Sequence, residues 1–342
     1  MSSIDGCVSK KTSCMRKITE SDNSFMQLQL LFIVGMPRSG TKLIRELVGQ
    51  SKEIYMPPVE SKWITTLVNR FGSGDYLLTS GDIQSINSSI FRSAFSANLK
   101  NLGKDVFEIP KTLAGRTLRD AIKHFLFSMS NGTKTDLKYV GDKTPSNIFK
   151  LDLLKKLDPD LKIIHIVRDP RDQCRSVNKT WGKSPVRNAS KWSNAIRLAE
   201  AWSSKNKGKY LALKYEDLLS DTKTELNKVQ NFLKLKSNID FKIEQSIESF
   251  GDARHQKGIV INNCGKWKDY FDSKTVKLIE SLTINEARKV GYEINEDVNA
   301  KELSKLQNLF YRLIDSVRMC SFYTRERGPI NGLRYYLKTL LD

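Results

Sequence analysis

The chain is short of metal-binding side chains and of acids. Histidine occurs only at His124, His165 and His255, which excludes a histidine-rich metal site. Its five cysteines, Cys7, Cys14, Cys174, Cys264 and Cys320, are odd in number, and no two are spaced as zinc ligands or as a redox pair. They read as reduced thiols, which fits a cytoplasmic protein. No apolar run approaches the ~20 residues that cross a bilayer; the stretch Leu28 to Val34 falls far short of it. Neither a secretory leader nor a transmembrane segment is expected, and the protein is read as soluble. Acids number 38 against 57 Lys plus Arg, leaving a formal charge of +19. Such a field attracts anions: nucleotides, acidic polysaccharides, nucleic acid or an anionic membrane surface. A solvated lysine-rich surface accounts for part of the excess. There is no internal repeat, no low-complexity block and no nucleic-acid motif with interleaved aromatics, so no nucleic-acid partner is expected.

What is present reads as one catalytic domain with appendages. At 39% hydrophobic and 28% charged, the 342 residues have an ordinary globular composition. Residues 1–26 are polar and without apolar periodicity, and are read as a flexible tail. Residues 27–298 form the expected catalytic domain and 299–342 a C-terminal helical extension. Leu30 to Val34 is a compact apolar run stopped by Gly35, the pattern of a fully buried strand. Leu43, Ile44, Leu47 and Val48 then repeat at helical spacing. Ile163–Val167 is a second strand-length run, preceded by a helix over Asn147–Leu157 and followed by one from Arg171. Tyr210–Leu213 is a third, followed by a helix with Leu226, Val229, Phe232 and Leu233 on one face. An amphipathic helix is predicted over Leu118–Met129, and a last one over 300–319. Strands alternating with helices predict an α/β fold: a P-loop-like central parallel sheet flanked by helices on both faces.

The first strand-to-helix junction reads Gly35-Met36-Pro37-Arg38-Ser39-Gly40-Thr41-Lys42. A glycine-bearing turn there aims backbone N–H groups at one point, and the helix start adds partial positive charge. Arg38 and Lys42 add full charges, while Ser39 and Thr41 add hydroxyl donors. The pattern suits a bound phosphate or sulfate. A nucleoside-triphosphate loop needs Gly-Lys-Ser/Thr, whereas here Gly40 is followed by Thr41-Lys42 in the reverse order. A P-loop kinase or NTPase, with Asp169 at a strand end to hold Mg²⁺, is one alternative. A non-catalytic polyanion-binding protein is another, and a purely structural glycine turn a third.

Pro37-Arg38-Ser39-Gly40-Thr41 after a hydrophobic strand resembles the 5′-phosphosulfate-binding loop of sulfotransferases that use 3′-phosphoadenosine 5′-phosphosulfate (PAPS). Ile163 to Val177, IIHIVRDPRDQCRSV, resembles that family's 3′-phosphate-binding segment, with a serine eight residues after the arginine. Arg168 and Ser176 fit that spacing, and Arg168 stands at a strand's C-terminal end, where open α/β sheets bind ligands. Gly141–Asn147 resembles the Lys-Thr-Pro turn of the protein-tyrosine and bacterial branches. Lys214–Leu219 resembles their Tyr-Glu-Asp-Leu segment, with Tyr215 at the nucleotide. Gly265–Phe271 resembles the late Gly-x-Trp loop that closes over the nucleotide, bringing Lys266 and Lys268. The resemblance covers roughly residues 30 to 293 and departs from the family at Lys42, where Thr is usual.

The resemblance implies sulfonate transfer from PAPS, without a metal, to a hydroxyl or amine of a glycan, a peptide tyrosine or a small alcohol. A homodimer is compatible with it. In-line transfer needs positioning, charge neutralisation and removal of one proton. The expected clamp is Arg38, the loop amides and Lys143. The expected base is Glu60, which falls 22 residues after Arg38, close to the offset of the glutamate base in the tyrosine-sulfating branch. Burial raising its pKa would suit it to the task. A helix-capping surface glutamate is the plainer reading of the same residue, and His255 is the next candidate. His165 lies in a strand run and reads as core, and His124 lies on an amphipathic helix. Trp181 and Trp192 are candidates for an acceptor wall, with core packing as the alternative.

Overall fold

The computed structural model describes residues 23–134, 136–242, 252, 254, 256–295 and 297–341. The first apolar run is strand β1, Gln29–Gly35. A two-residue strand β2, Ile54–Tyr55, and strand β3, Tyr139–Lys143, follow before the second run, β4, Lys162–Val167, and the third, β5, Tyr210–Lys214. The sheet order is β2-β3-β1-β4-β5 and every pair is parallel. The two predicted inner strands are neighbours, with Phe32 opposite Ile163.

Strand geometry sends successive side chains to opposite faces. Leu30, Phe32 and Val34 pack with Ile64 of α2 (Lys62–Phe71), Phe125 of α5 (Leu118–Met129) and Trp192 of α8 (Pro185–Lys205). Leu31 and Ile33 pack on the other face with Ile44 and Leu47 of α1 (Thr41–Val48), Leu218 of α9 (Tyr215–Ser220) and Val229 of α10 (Thr222–Leu233). Burial on both faces explains why these strands read as unbroken apolar runs. Each such side chain contributes about 1.5–3 kcal/mol on leaving water.

β3 was not legible as a strand. Its centre is Gly141, where a Cβ would fall 1.8 Å from the Leu31 carbonyl oxygen, so the close approach of β3 to β1 demands glycine. Residues 71–135, where only the Leu118–Met129 helix was predicted, also supply α3 (Ser80–Arg92) and α4 (Ala94–Asn101). The helix expected over Asn147–Leu157 is a 3₁₀ turn, Pro145–Lys150, leading into α6, Leu151–Leu157. α7 (Pro170–Trp181) starts on Pro170 with Asp169 as its cap, and α11 spans Ser273–Lys289.

The last predicted helix starts later and runs further than its periodicity suggested. α12 spans Lys305–Arg327, fixed at its start by reciprocal Ser304 and Gln307 hydrogen bonds. α13, Pro329–Leu341, turns back against it, with the Tyr323 and Tyr335 rings 5.0 Å apart. Among the described residues, no helix is long and apolar enough to cross a membrane.

Candidate active site

The β1–α1 loop closes into a cradle because its residues accept unusual backbone angles. Gly40 sits at φ 92°, and a Cβ there would strike the Tyr215 ring at 2.3 Å. Arg38 holds a left-handed φ of 72°, the kind of strain that persists where the surroundings over-determine it. Here they do. Arg168, just past β4, donates through Nη1 to the Arg38 carbonyl at 3.0 Å. Gln173, fully buried on α7, donates to the Pro37 carbonyl at 2.6 Å. Arg38 Nε in turn donates to Ser176 Oγ at 3.3 Å. Arg38, Arg168 and Ser176 therefore converge at the C-terminal ends of β1 and β4, the crevice where open α/β sheets bind ligands.

Further side chains complete this half of the site. Arg168 Nη2 donates to the Asn263 carbonyl at 2.6 Å, and its guanidinium lies 4.6 Å from the centre of the Tyr215 ring. Asn263 Nδ2 donates to Tyr215 Oη at 2.8 Å, and Lys266 Nζ to Asn263 Oδ1 at 3.2 Å. The late loop is tied down by Asp172, which accepts from Trp267 N at 3.0 Å and from Gly265 N. Ser39 Oγ and Arg168 Nε are both buried and, among the described residues, without a hydrogen-bond partner. Buried polar atoms are ordinarily satisfied, so two orphans in a cationic cradle fit an anionic ligand.

The other half is a cavity of about 910 Å³ bordered by Pro37, Lys42, Glu60, Lys143 and Trp63. Lys143 ends β3 almost fully buried and donates to Glu60 Oε1 at 2.7 Å. Glu60 is half-buried on the loop before α2. Burial pushes its carboxyl up, but the charge and hydrogen bond of Lys143, with Lys62 and Lys42 beyond, outweigh that and hold it below the usual carboxylate range. This reverses the expectation that burial raises the Glu60 pKa. The preceding residue fixes the loop: Asp142 Oδ1 accepts from Ser61 N at 2.8 Å. Burial drives the Asp142 carboxyl up to about 6, against the pull of its hydrogen bonds and of Lys143.

Residues named from sequence thus divide. Arg38, Ser39, Gly40, Thr41, Arg168, Ser176, Tyr215 and Lys266 gather at the cradle, while Lys42, Glu60 and Lys143 face the cavity. Lys268 does neither; its ammonium lies 5.9 Å from the centre of the Trp267 ring, on a separate cleft with Lys277 and Glu280. Trp181 borders the cavity, whereas Trp192 is core, 1% exposed, its Nε1 donating to the Arg168 carbonyl at 3.0 Å. His165 is buried against Tyr210, its imidazole pushed down to about 3 by burial, and His124 packs edge-on to Phe25. His255 lies outside the described residues.

Sequence reasoning missed Gln173 and Asn263, which act through a side-chain amide and a carbonyl and leave no motif. It also missed the cavity's outer wall. Arg312, Asp315, Met319 and Tyr323 of α12 and Tyr335 of α13 border it. Asp315 anchors that wall, pairing with Arg187 at 2.8 Å and accepting from Ser184 N at 2.7 Å.

Known proteins resemble this chain in sequence and in fold. A stretch of 153 residues, 45% of this chain, is 29% identical to the nodulation protein NoeE of Sinorhizobium fredii. The match covers 32% of NoeE, so the chain spans about a third of that protein's length. Over 282 residues it is 21% identical to a Caenorhabditis briggsae protein named "Putative protein-tyrosine sulfotransferase", covering 74% of this chain and 86% of that one. Among solved structures, the sulfotransferase domain from the Synechococcus PCC 7002 olefin synthase has the same fold, with a TM-score of 0.51. It is 20% identical, over 78% of this chain and 96% of that domain. The sequence pattern of the sulfotransferase family matches residues 31–238, well over half of the chain, which therefore belongs to the sulfotransferase family.

Proposed function

We propose that this sulfotransferase takes its sulfonate group from PAPS and passes it to a hydroxyl held in the cavity. The observation that carries the reading is the convergence of Arg38 and Arg168, 130 residues apart in sequence, on one crevice with Ser176. Two anion subsites result. The β1–α1 loop, with Ser39, Thr41 and the α1 start, suits the 5′-phosphosulfate. Arg168 and Ser176, with Lys266 beyond Asn263, suit the 3′-phosphate, and Tyr215 packs beneath them. PAPS supplies an activated sulfonate whose bridging oxygen leaves as phosphate.

The remaining chemistry belongs to this chain's residues. Arg38 and Lys143 would neutralise charge around the sulfonate, and the buried Lys143 ammonium, which here donates to Glu60, would supply the proton donor for the leaving oxygen. Glu60 accepts the acceptor's proton as the new S–O bond forms. Its pairing with Lys143 keeps it a weak base until Lys143 turns to the leaving oxygen, which ties its basicity to donor binding. Trp181 and Tyr323 offer ring-stacking surface and Lys183 positive charge, so a hydroxyl on a sugar or phenol ring suits the cavity. Residues 27–298 make up the catalytic domain in this reading, with 299–342 an extension that closes the acceptor side. The unpaired thiols of Cys174, Cys264 and Cys320 support a cytoplasmic placement.

The kinase alternative is disfavoured by Asp169. Its carboxylate caps α7, accepts from Arg171 N at 2.8 Å and pairs with the Arg171 guanidinium at 2.7 Å, leaving it committed. The test is transfer of radiolabelled sulfonate from PAPS to a panel of tyrosine peptides, glycans and phenols, with and without a chelator. Chelator-resistant transfer is expected. Stronger thermal stabilisation by ATP than by adenosine 3′,5′-bisphosphate would refute the donor assignment.

A further inference from the structure

α12 has two unlike faces. Its inner face carries Asp315 and Met319 into the cavity wall. On its outer face Leu306, Leu309, Phe310, Leu313 and Val317 are 80, 53, 60, 61 and 70% exposed. At the helical repeat these five fall on one narrow stripe. Exposed leucines scattered singly need no explanation, but a continuous row does. Lys305 and Arg325 flank the row, with the neutral Gln307 and Asn308 near its start. The helix has two acids: Asp315 is turned inward onto Arg187, and Glu326 stands near the far end, beyond the stripe.

We propose that this stripe docks on the surface of an anionic lipid bilayer. An apolar helix face edged with Lys and Arg is the arrangement that lies in a membrane interface, the apolar side chains below the headgroups and the cations level with them. The cations then meet lipid phosphates. A second copy of this chain fits less well, because packing the stripe on itself sets Lys305 and Arg325 of one copy beside the like charges of the other. The stripe is also preformed. Arg187 Nε donates to Asn308 Oδ1 at 3.2 Å and Arg318 to the Gly182 carbonyl at 2.5 Å, so α12 is held to the body before any surface is met. Docking needs no refolding, and it sets the cavity wall on the back of the lipid-bound helix.

The test is vesicle flotation with the full chain. Vesicles of equal parts phosphatidylglycerol and phosphatidylcholine are compared with phosphatidylcholine alone. Binding to the anionic vesicles is expected at low salt, weakening as salt screens the charges. The double variant Leu309→Asp/Leu313→Asp should bind at least about tenfold more weakly. Lys305→Glu/Arg325→Glu should lose the preference for anionic lipid. All four side chains are exposed, so melting temperatures should match wild type, which separates lost docking from lost folding. Failure to float with anionic vesicles overturns the proposal. So does equal flotation of the Leu309→Asp/Leu313→Asp variant, or a dimer by light scattering that this variant splits while vesicles are ignored.

Discussion

Replacing Asp142 by Asn separates the two things this carboxyl does. It accepts from Ser61 N, which an amide oxygen can also do, and it carries a titration that an amide lacks. Asp142 is fully buried, and burial raises its carboxyl from 3.8 to about 6 in the folded chain. A carboxyl with a raised folded pKa binds its proton more tightly in the native state than in the unfolded one. Its contribution is therefore fully present below the unfolded pKa and lost as pH rises through the folded value. At about 1.4 kcal/mol per pKa unit, wild type should lose roughly 3 kcal/mol across the whole titration, and about 2 kcal/mol of it between pH 4.5 and 7.5. Asp142→Asn should not show that loss. Urea unfolding of both proteins at the two pH values measures it. The stability of the variant relative to wild type should rise by about 2 kcal/mol on going to the higher pH. Parallel pH slopes would show that the Asp142 carboxyl is not held protonated by its surroundings. Because the Ser61 contact is retained, turnover of Asp142→Asn should stay near wild type, whereas Asp142→Ala, which frees the Glu60 loop, should lose activity.

Glu60→Gln should cut turnover roughly 10²- to 10⁴-fold while leaving nucleotide affinity unchanged, measured by steady-state rates alongside calorimetry. Lys143→Met should lower the rate as well and, by removing the charge that holds the Glu60 carboxyl down, should move the acid limb of the pH–rate profile to higher pH; an unmoved limb would separate the two residues. Arg168→Ala should weaken adenosine 3′,5′-bisphosphate roughly 10- to 100-fold, read by titration calorimetry, and erase its advantage over ATP. Trp192→Phe removes the hydrogen bond to the Arg168 carbonyl and leaves a void in the core where the larger indole packed. It should cost roughly 2–3 kcal/mol of stability and a few-fold in nucleotide affinity.

The sheet was legible where burial on both faces wrote an unbroken apolar run, as in β1 and β4. β3 escaped because contact with β1 demands Gly141 at its centre and the site demands Asp142 and Lys143 at its end. The cradle was legible through charged and glycine residues at fixed spacing. Gln173 and Asn263 were not, since their contacts depend on where unrelated loops meet in space. For Glu60, position in the chain indicated a role but not a charge environment; the sign of its shift is set by Lys143, 83 residues away. Trp192 shows the converse, an aromatic near the motif that serves packing and supports the Arg168 backbone. The cavity's outer wall was hidden for a different reason: the periodicity of α12 marks its apolar row, and that row faces outward.

The order of the strands has one more consequence. The chain lays down β1 and β3 on one side of a line and β4 and β5 on the other, and the line runs through the cradle. Arg168, Gln173 and Ser176 reach across it to the Pro37–Arg38 corner, so polar contacts between segments distant in sequence are added there to the β1–β4 ladder. A nucleotide seated on that line is a clasp between the flanks. A ligand present at a hundred times its dissociation constant adds about 2.7 kcal/mol to folding. On the donor reading proposed above, resistance to unfolding and proteolysis should then rise with nucleotide concentration.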